Sequence, residues 1–90
     1  MRYGFKSQIT SRKLLVINQP EVGKLIRELR LLTGLTQEQF AATLGVTYPT
    51  INRWENGRAK PSPLAMQKIE VQLQEIGKQG KDLLEKYLMN

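Results

Sequence analysis

The 90-residue sequence predicts an all-α domain of four to five helices with an extended N-terminal arm. Three observations support this fold class. From residue 20 onward, apolar residues recur at the three- and four-residue intervals of amphipathic helices. Glycines follow these periodic segments, at positions where a helix commonly ends in a left-handed residue. Residues able to cap a helix N-terminus precede most of these periodic segments.

The N-terminal arm, residues 1–19, shows no helical period, and Arg12–Asn18 is interpreted as a short strand or an extended segment. The first helix begins after Asn18, which has the spacing of a capping box with Glu21. Gly34 ends this helix. Its apolar face consists of Val22, Leu25, Ile26, Leu29 and Leu32.

Two short helices follow, separated by almost no chain. Thr36 and Gln39 have capping-box spacing at the start of the first, which Gly45 ends. Thr47 caps the second, which Gly57 ends. The inward-facing residues of the pair are Phe40, Ala41, Leu44, Ile51 and Trp54. Each helix is too short to be stable alone. So short a turn forces the two to cross steeply, which is the helix-turn-helix arrangement.

A fourth helix begins at Ser62-Pro63, and Gly77 and Gly80 weaken or break it. A final amphipathic segment, residues 77–90, completes the chain. Two apolar sets have no obvious place in a four-helix core: Leu14, Leu15, Val16 and Ile17 in the arm, and Leu83, Leu84, Tyr87 and Leu88 in the final segment. They either fold over the first helix or form the two-fold interface of a homodimer.

The composition restricts the possible chemistry. The chain has no cysteine and no histidine, so we expect no disulfide, no metal site and no imidazole base. No nucleophile–base pair or phosphate-binding loop is present, so we expect neither an enzyme nor a cofactor. The apolar run Leu14–Ile17 is too short for a signal peptide or a membrane span. These features indicate a cytoplasmic protein with no membrane partner.

Positive charge is unevenly distributed along the chain, whose net charge is +6 at pH 7. The arm carries Arg2, Lys6, Arg12 and Lys13 and no acidic residue. A second basic excess lies within residues 53–60, where one acidic residue, Glu55, is outnumbered by three basic residues, Arg53, Arg58 and Lys60. A local excess of positive charge favours a polyanionic partner.

The segment Gln37–Ser62, QEQFAATLGVTYPTINRWENGRAKPS, resembles the Cro/repressor-type (XRE-like) helix-turn-helix domains of phage and bacterial regulators. The positions that carry the resemblance are Gln37, Ala41, Gly45, Val46, Ile51, Trp54, Glu55, Asn56 and Gly57. It extends back through Arg27–Gln37 and covers roughly Val22–Ile76. The resemblance implies a lambda-repressor-like DNA-binding domain over residues 20–76. Such a domain binds double-stranded DNA as a transcriptional regulator, and we expect a homodimer on a two-fold operator.

By the same resemblance, helix 47–55 enters the major groove, and its outward side chains meet base edges. The implied base contacts are Tyr48, Pro49, Asn52 and Arg53. Arg53 can contact guanine O6 and N7, and Asn52 can pair with adenine or a phosphate. Pro49 departs from relatives that have glutamine there, so the operator sequence is not predicted. The implied contacts to the DNA backbone are Gln37, Thr47, Thr50, Asn56, Arg58 and Lys60.

Two further expectations follow from the resemblance. Arg30 and Glu55 are expected to form a partly buried ion pair that ties the first helix to the third. The alternative function is that of a DNA-binding antitoxin-type protein, since this fold is common among antitoxins. Such a protein would also bind a toxin or another protein partner through its terminal segments, residues 1–19 and 77–90.

Overall fold

The computed structural model describes residues 14–88. This range contains five helices and no strand, which confirms the all-α class. The helices are α1 (Glu21–Thr33), α2 (Gln37–Leu44), α3 (Tyr48–Glu55), α4 (Pro63–Glu75) and α5 (Lys78–Leu88). None of the helices in this range is long and apolar enough to cross a membrane.

Local sequence signals set most helix ends. The capping box of α2 is confirmed: the Gln39 N–H donates to Thr36 Oγ1 at 3.1 Å, and the Thr36 N–H donates to Gln39 Oε1 at 3.0 Å. Ser62 caps α4 by accepting the Ala65 N–H at 3.2 Å. Gly45 ends α2 in the left-handed conformation, with a φ of 71°, which glycine adopts without steric cost.

The predicted capping box at the start of α1 is wrong. Pro20 occupies the N-cap position, and it makes no side-chain cap. The Asn18 carboxamide instead accepts a hydrogen bond from Lys60 Nζ at 3.1 Å. In the first turn of α1, the backbone N–H of Gly23 donates a hydrogen bond to Gln19 Oε1 at 2.9 Å. Capping therefore comes from the residue after Asn18, because a contact with a distant lysine occupies the Asn18 side chain.

The core lies where α1, α2, α3 and α4 meet, and its fully buried residues include Ile26, Phe40, Ile51 and Met66. The helix α1 approaches the end of α3 unusually closely at Gly23. A Cβ atom at this position would overlap the carbonyl oxygen of Trp54. Glycine therefore permits the backbone contact that fixes the orientation of α3 relative to α1.

The strand or extended segment expected for Arg12–Asn18 is wrong for its first described residues, 14–16, which form a turn. Leu14 and Leu15 have helical backbone, and the Ile17 N–H closes a turn by donating to the Leu14 carbonyl at 3.1 Å. Leu14 is 0% exposed and Ile17 is 5% exposed, so both belong to the domain core. A turn brings both side chains to one side, whereas a strand would need a pairing partner, and residues 14–88 contain no strand. The basic residues Arg2, Lys6, Arg12 and Lys13 lie outside the described residues.

The final segment also packs within the domain. In α5, Leu83, Leu84 and Tyr87 are buried, and the Tyr87 hydroxyl donates to Glu28 of α1. Lys86 Nζ lies 3.1 Å from the same carboxylate. Of the two alternatives for the apolar sets, packing against their own chain describes the buried members of both, whereas Val16 is 68% exposed.

The break expected at Gly77 and Gly80 is correct only in part. Gly77 follows the end of α4 with a φ of 66°. Gly80, however, lies inside α5 and is buried. A Cβ atom there would overlap the Leu73 carbonyl oxygen, so glycine at this position allows α5 to pack closely against α4.

Candidate nucleic-acid interface

The helix α3 has one buried face and one exposed face. Ile51 and Trp54 point into the core, and their three-residue spacing places them on the same side of the helix. Tyr48, Pro49 and Arg53 are exposed, and the Tyr48 side chain is 46% accessible to solvent. The spacing of these three residues places them together on the opposite side. The structure thus presents three of the four implied base-contacting residues on one exposed face.

The N-terminus of α3 carries hydroxyl groups and no acidic residue. The side-chain oxygens of Thr47 and Thr50 share a hydrogen bond of 2.8 Å. Thr47 is the N-cap residue, but its hydroxyl caps no backbone N–H. A helix N-terminus without a nearby carboxylate favours an anion, because its N–H groups and the helix dipole present positive charge.

Arg30 and Glu55 form a bidentate ion pair beneath this surface. Arg30 Nε lies 2.7 Å from Glu55 Oε2, and Arg30 Nη2 lies 3.1 Å from Glu55 Oε1. The Arg30 side chain is 13% exposed and that of Glu55 is 5% exposed. The hydrogen bond to Glu55 raises the pKa of Arg30 above its usual value. The pair ties α1 to the end of α3, and Arg30 Nη1 also donates to the Leu35 carbonyl at 3.0 Å.

A chain of amide side chains continues from this ion pair to the surface. Gln37 Nε2 donates to Glu55 Oε1 at 2.9 Å, and Asn52 Nδ2 donates to Gln37 Oε1 at 3.3 Å. Asn56 Nδ2 in turn donates to Asn52 Oδ1 at 3.1 Å. The carboxamides of Gln37, Asn52 and Asn56 are therefore oriented by one another and by Glu55. The family resemblance implied these three residues only as separate DNA contacts, and their mutual hydrogen bonds were not predicted.

This chain changes what Asn52 can offer to DNA. A bidentate contact with adenine requires both the oxygen and the nitrogen of the carboxamide. In Asn52 the oxygen accepts from Asn56, and one N–H is directed to Gln37. The side chain is also half-buried. Asn52 therefore keeps one N–H and one lone pair of its oxygen for a base edge, and its hydrogen bonds to Gln37 and Asn56 fix the orientation of the carboxamide.

The loop after α3 separates the two predicted basic contacts. Arg58 is exposed, and its backbone N–H donates to the Arg53 carbonyl at 2.9 Å. Lys60 points elsewhere: its Nζ donates to the Leu15 carbonyl at 3.0 Å and to Asn18 Oδ1 at 3.1 Å. The structure therefore places Arg58 beside the end of α3, and directs the ammonium of Lys60 toward residues 15–18.

Gln19 was not among the residues singled out in the sequence. Its Nε2 donates to the Trp54 carbonyl at 2.9 Å and to the Ala59 carbonyl at 2.6 Å. Its Oε1 accepts the Gly23 N–H. A glutamine outside any helical pattern carries no sequence signal for such a role, since the role depends on which elements meet around it.

Comparison with known proteins gives two matches. The family model described as Helix-turn-helix matches residues 26–76, more than half of the chain. An uncharacterized HTH-type transcriptional regulator from Methanothermobacter thermautotrophicus is 49% identical over 45 residues. The aligned segment covers 50% of this chain and 65% of that relative, so the match spans slightly less than two thirds of the relative's length. No solved structure matches the chain significantly.

Proposed function

The chain belongs to the helix-turn-helix family, and from this we propose that it is a sequence-specific DNA-binding transcriptional regulator that reads the major groove with α3. The observation that carries the proposal is the exposed face of α3. Tyr48, Pro49 and Arg53 project from it, while Trp54 and the Arg30–Glu55 pair fix the helix from beneath. The membership agrees with the resemblance seen across Val22–Ile76.

Each outward residue of α3 has a proposed role set by its chemistry. Arg53 donates two hydrogen bonds to guanine O6 and N7, which contributes about 1–3 kcal/mol of discrimination. Tyr48 contacts a thymine methyl group or donates its hydroxyl to a phosphate. Pro49 makes apolar contact only. Asn52 donates one N–H to an acceptor on a base edge.

The DNA backbone is contacted around the ends of the two short helices. The proposed contacts are Gln37, Thr47, Thr50, Asn56, Arg58 and Lys60. Arg58 is the strongest of them, because its guanidinium is exposed and its position beside α3 is set by the backbone bond to Arg53. Lys60 is proposed as a weaker contact, since its ammonium already donates to two oxygens of residues 15–18.

The proposal is tested by selecting duplexes that bind the chain from a random pool, followed by titrations of the selected site at several salt concentrations. We expect a selected motif and an affinity that falls as salt rises. Arg58→Ala should weaken binding to all duplexes and reduce the salt slope by about one phosphate contact. Lys81→Ala, which removes an exposed positive charge from α5, is the matched control. If no motif is enriched at any salt concentration, the proposed function is wrong.

We further propose a homodimer, because one α3 reads a half-site and operators usually contain two, about 34 Å apart. The buried members of the apolar sets in residues 14–17 and in α5 are not available for its interface. Within the described residues, Leu64 and Val71 project from α4 with 63% and 48% exposure, one above the other on the same side. Sedimentation with and without the selected duplex tests this assembly, and two monomers bound independently to one site would contradict it.

The antitoxin-type alternative gains no support from the fold. It places a protein partner on the terminal segments, residues 1–19 and 77–90. In their described parts Leu14, Ile17, Leu83 and Leu84 are buried in the domain, and residues 1–13 lie outside the described residues. We therefore propose double-stranded DNA as the principal partner.

A further inference from the structure

Residues 14–19, named here the N-terminal strut, are joined by one hydrogen bond to the end of α3 and by three to the loop 57–60. Gln19 donates to the carbonyls of Trp54 and Ala59. Lys60 donates to the Leu15 carbonyl and to Asn18 Oδ1. The strut is itself anchored in the core, since Leu14 is fully buried and Ile17 nearly so. It therefore offers a fixed support beside the loop.

Both the nitrogen and the oxygen of the Gln19 carboxamide take part in hydrogen bonds. Its two N–H groups reach the end of α3 and the loop, and its oxygen accepts the Gly23 N–H of α1. A single side chain thus joins the start of α1 to the end of α3 and to the loop, whose contact residues lie 35 and 40 positions further along the chain. At the same point Gly23 allows the α1 backbone to approach the Trp54 carbonyl, so the geometry leaves little room for a different arrangement.

Backbone hydrogen bonds hold the first half of the loop, whereas Ala59 and Lys60 are held through side-chain hydrogen bonds with the strut. The loop turns at Gly57, which has a φ of 74°. The Gly57 N–H donates to the Trp54 carbonyl at 3.1 Å, and the Arg58 N–H donates to the Arg53 carbonyl. Among the hydrogen bonds of the described residues, the Ala59 carbonyl receives only the one from Gln19. A buried or half-buried carbonyl that loses its donor is costly, so removing the Gln19 amide should release this part of the loop.

We propose that Gln19 is a positioning residue for DNA binding, which holds the loop 57–60 so that Arg58 meets the phosphate backbone. Gln19 does not itself contact DNA in this account. It acts through the loop, and its loss lowers affinity for all sequences alike without changing which base is preferred. The inference rests on the proposed function for its DNA consequence, but its structural part can be tested in the protein alone.

The test uses Gln19→Met, which keeps a side chain of similar length and removes the amide. Gln74→Met is the matched control: it removes the hydrogen bond of 2.6 Å that Gln74 donates to Glu70, in the α4–α5 region. In the protein without DNA, amide hydrogen exchange is followed at Arg58 and at Leu29 in the core. We expect Gln19→Met to speed exchange about tenfold at Arg58, beyond any change at Leu29, because local opening becomes easier. Gln74→Met should leave the ratio between the two unchanged. An unchanged ratio in Gln19→Met would overturn the proposal.

With duplex DNA, Gln19→Met should weaken binding uniformly and reduce the salt slope by about one. Adding Arg58→Ala to Gln19→Met should then have little further effect, because both changes remove the same phosphate contact. Fully additive effects of the two changes would overturn the proposal, and so would an equal loss of affinity in Gln74→Met. If the wild-type chain binds no duplex, the proposed function fails, while hydrogen exchange still decides whether Gln19 positions the loop.

Discussion

The ion pair between Arg30 and Glu55 should be the most sensitive polar contact in the domain. In Arg30→Met, Glu55 would lose both guanidinium hydrogen bonds and keep the one from Gln37 Nε2. Its side chain is 5% exposed, so little water can replace the lost donors. Removing one partner of a buried ion pair lowers the free energy of unfolding by about 3–5 kcal/mol, because the other charge stays buried without its partner. The retained bond from Gln37 favours the lower end, about 3 kcal/mol, which is a large fraction of the stability of a small domain.

Urea unfolding at pH 7 measures this cost, with Arg27→Met as the control because Arg27 is an exposed arginine on the same helix. Equal costs for Arg30→Met and Arg27→Met would refute the reasoning.

Three further substitutions test other contacts within the domain. Gly23→Ala should lower the free energy of unfolding by about 1–3 kcal/mol, although alanine favours helix, because its Cβ would overlap the Trp54 carbonyl; urea unfolding that shows a gain would contradict the close approach. Tyr87→Phe should cost about 1 kcal/mol at pH 7. The Tyr87 hydrogen bond is the largest cause of the lowered Glu28 pKa, so this contribution is present above the unfolded pKa and lost as pH falls through the folded one; an equal cost at pH 7 and pH 3 would argue against it. Glu70 is buried, one of its oxygens has no hydrogen-bond partner in the structure, and burial raises its pKa. Glu70→Met should therefore stabilise the domain by about 1–2 kcal/mol at pH 7 and by less at acidic pH, where the wild-type carboxyl is protonated; thermal unfolding at both pH values decides this.

The parts of the fold that depend on neighbouring residues were predictable from the sequence. Capping at Thr36 and Ser62 and the left-handed end at Gly45 involve atoms within one turn of chain. The apolar spacing identified the buried faces of α1 and α3 except at Leu32, which was predicted to face inward but is 47% exposed in the last turn of α1. Such features need no knowledge of the tertiary structure, because the helix period itself decides which residues share a side.

The errors concern residues whose partners are distant in sequence. An apolar pattern shows that Leu14 and Leu83 need cover, but it does not say whether their own chain or a second one supplies it. Asn18 has capping chemistry, yet a lysine 42 residues away occupies its side chain. Gln19 has no pattern at all. These assignments depend on where three elements meet, which local propensity does not determine.

The candidate site was predictable to the level of residue chemistry. The outward position of Tyr48 and Arg53 follows from helical spacing and agrees with their exposure. The orientation of Asn52 does not follow from spacing, because Gln37 and Asn56 set it through hydrogen bonds. Sequence reasoning could therefore propose the reading face, while the number of donors that each side chain can offer required the structure.

The central claim, that α3 reads base edges in the major groove, is tested most directly by the base preferences of Arg53→Ala. Affinity for the selected site and for every single-base variant is measured for the wild type, Arg53→Ala and the control Lys81→Ala. We predict that the wild type requires guanine at one base pair of each half-site. Arg53→Ala should lose about 1–3 kcal/mol of discrimination at that pair alone, and Lys81→Ala should keep the wild-type profile. A profile in Arg53→Ala that matches the wild type at every base pair would contradict the account.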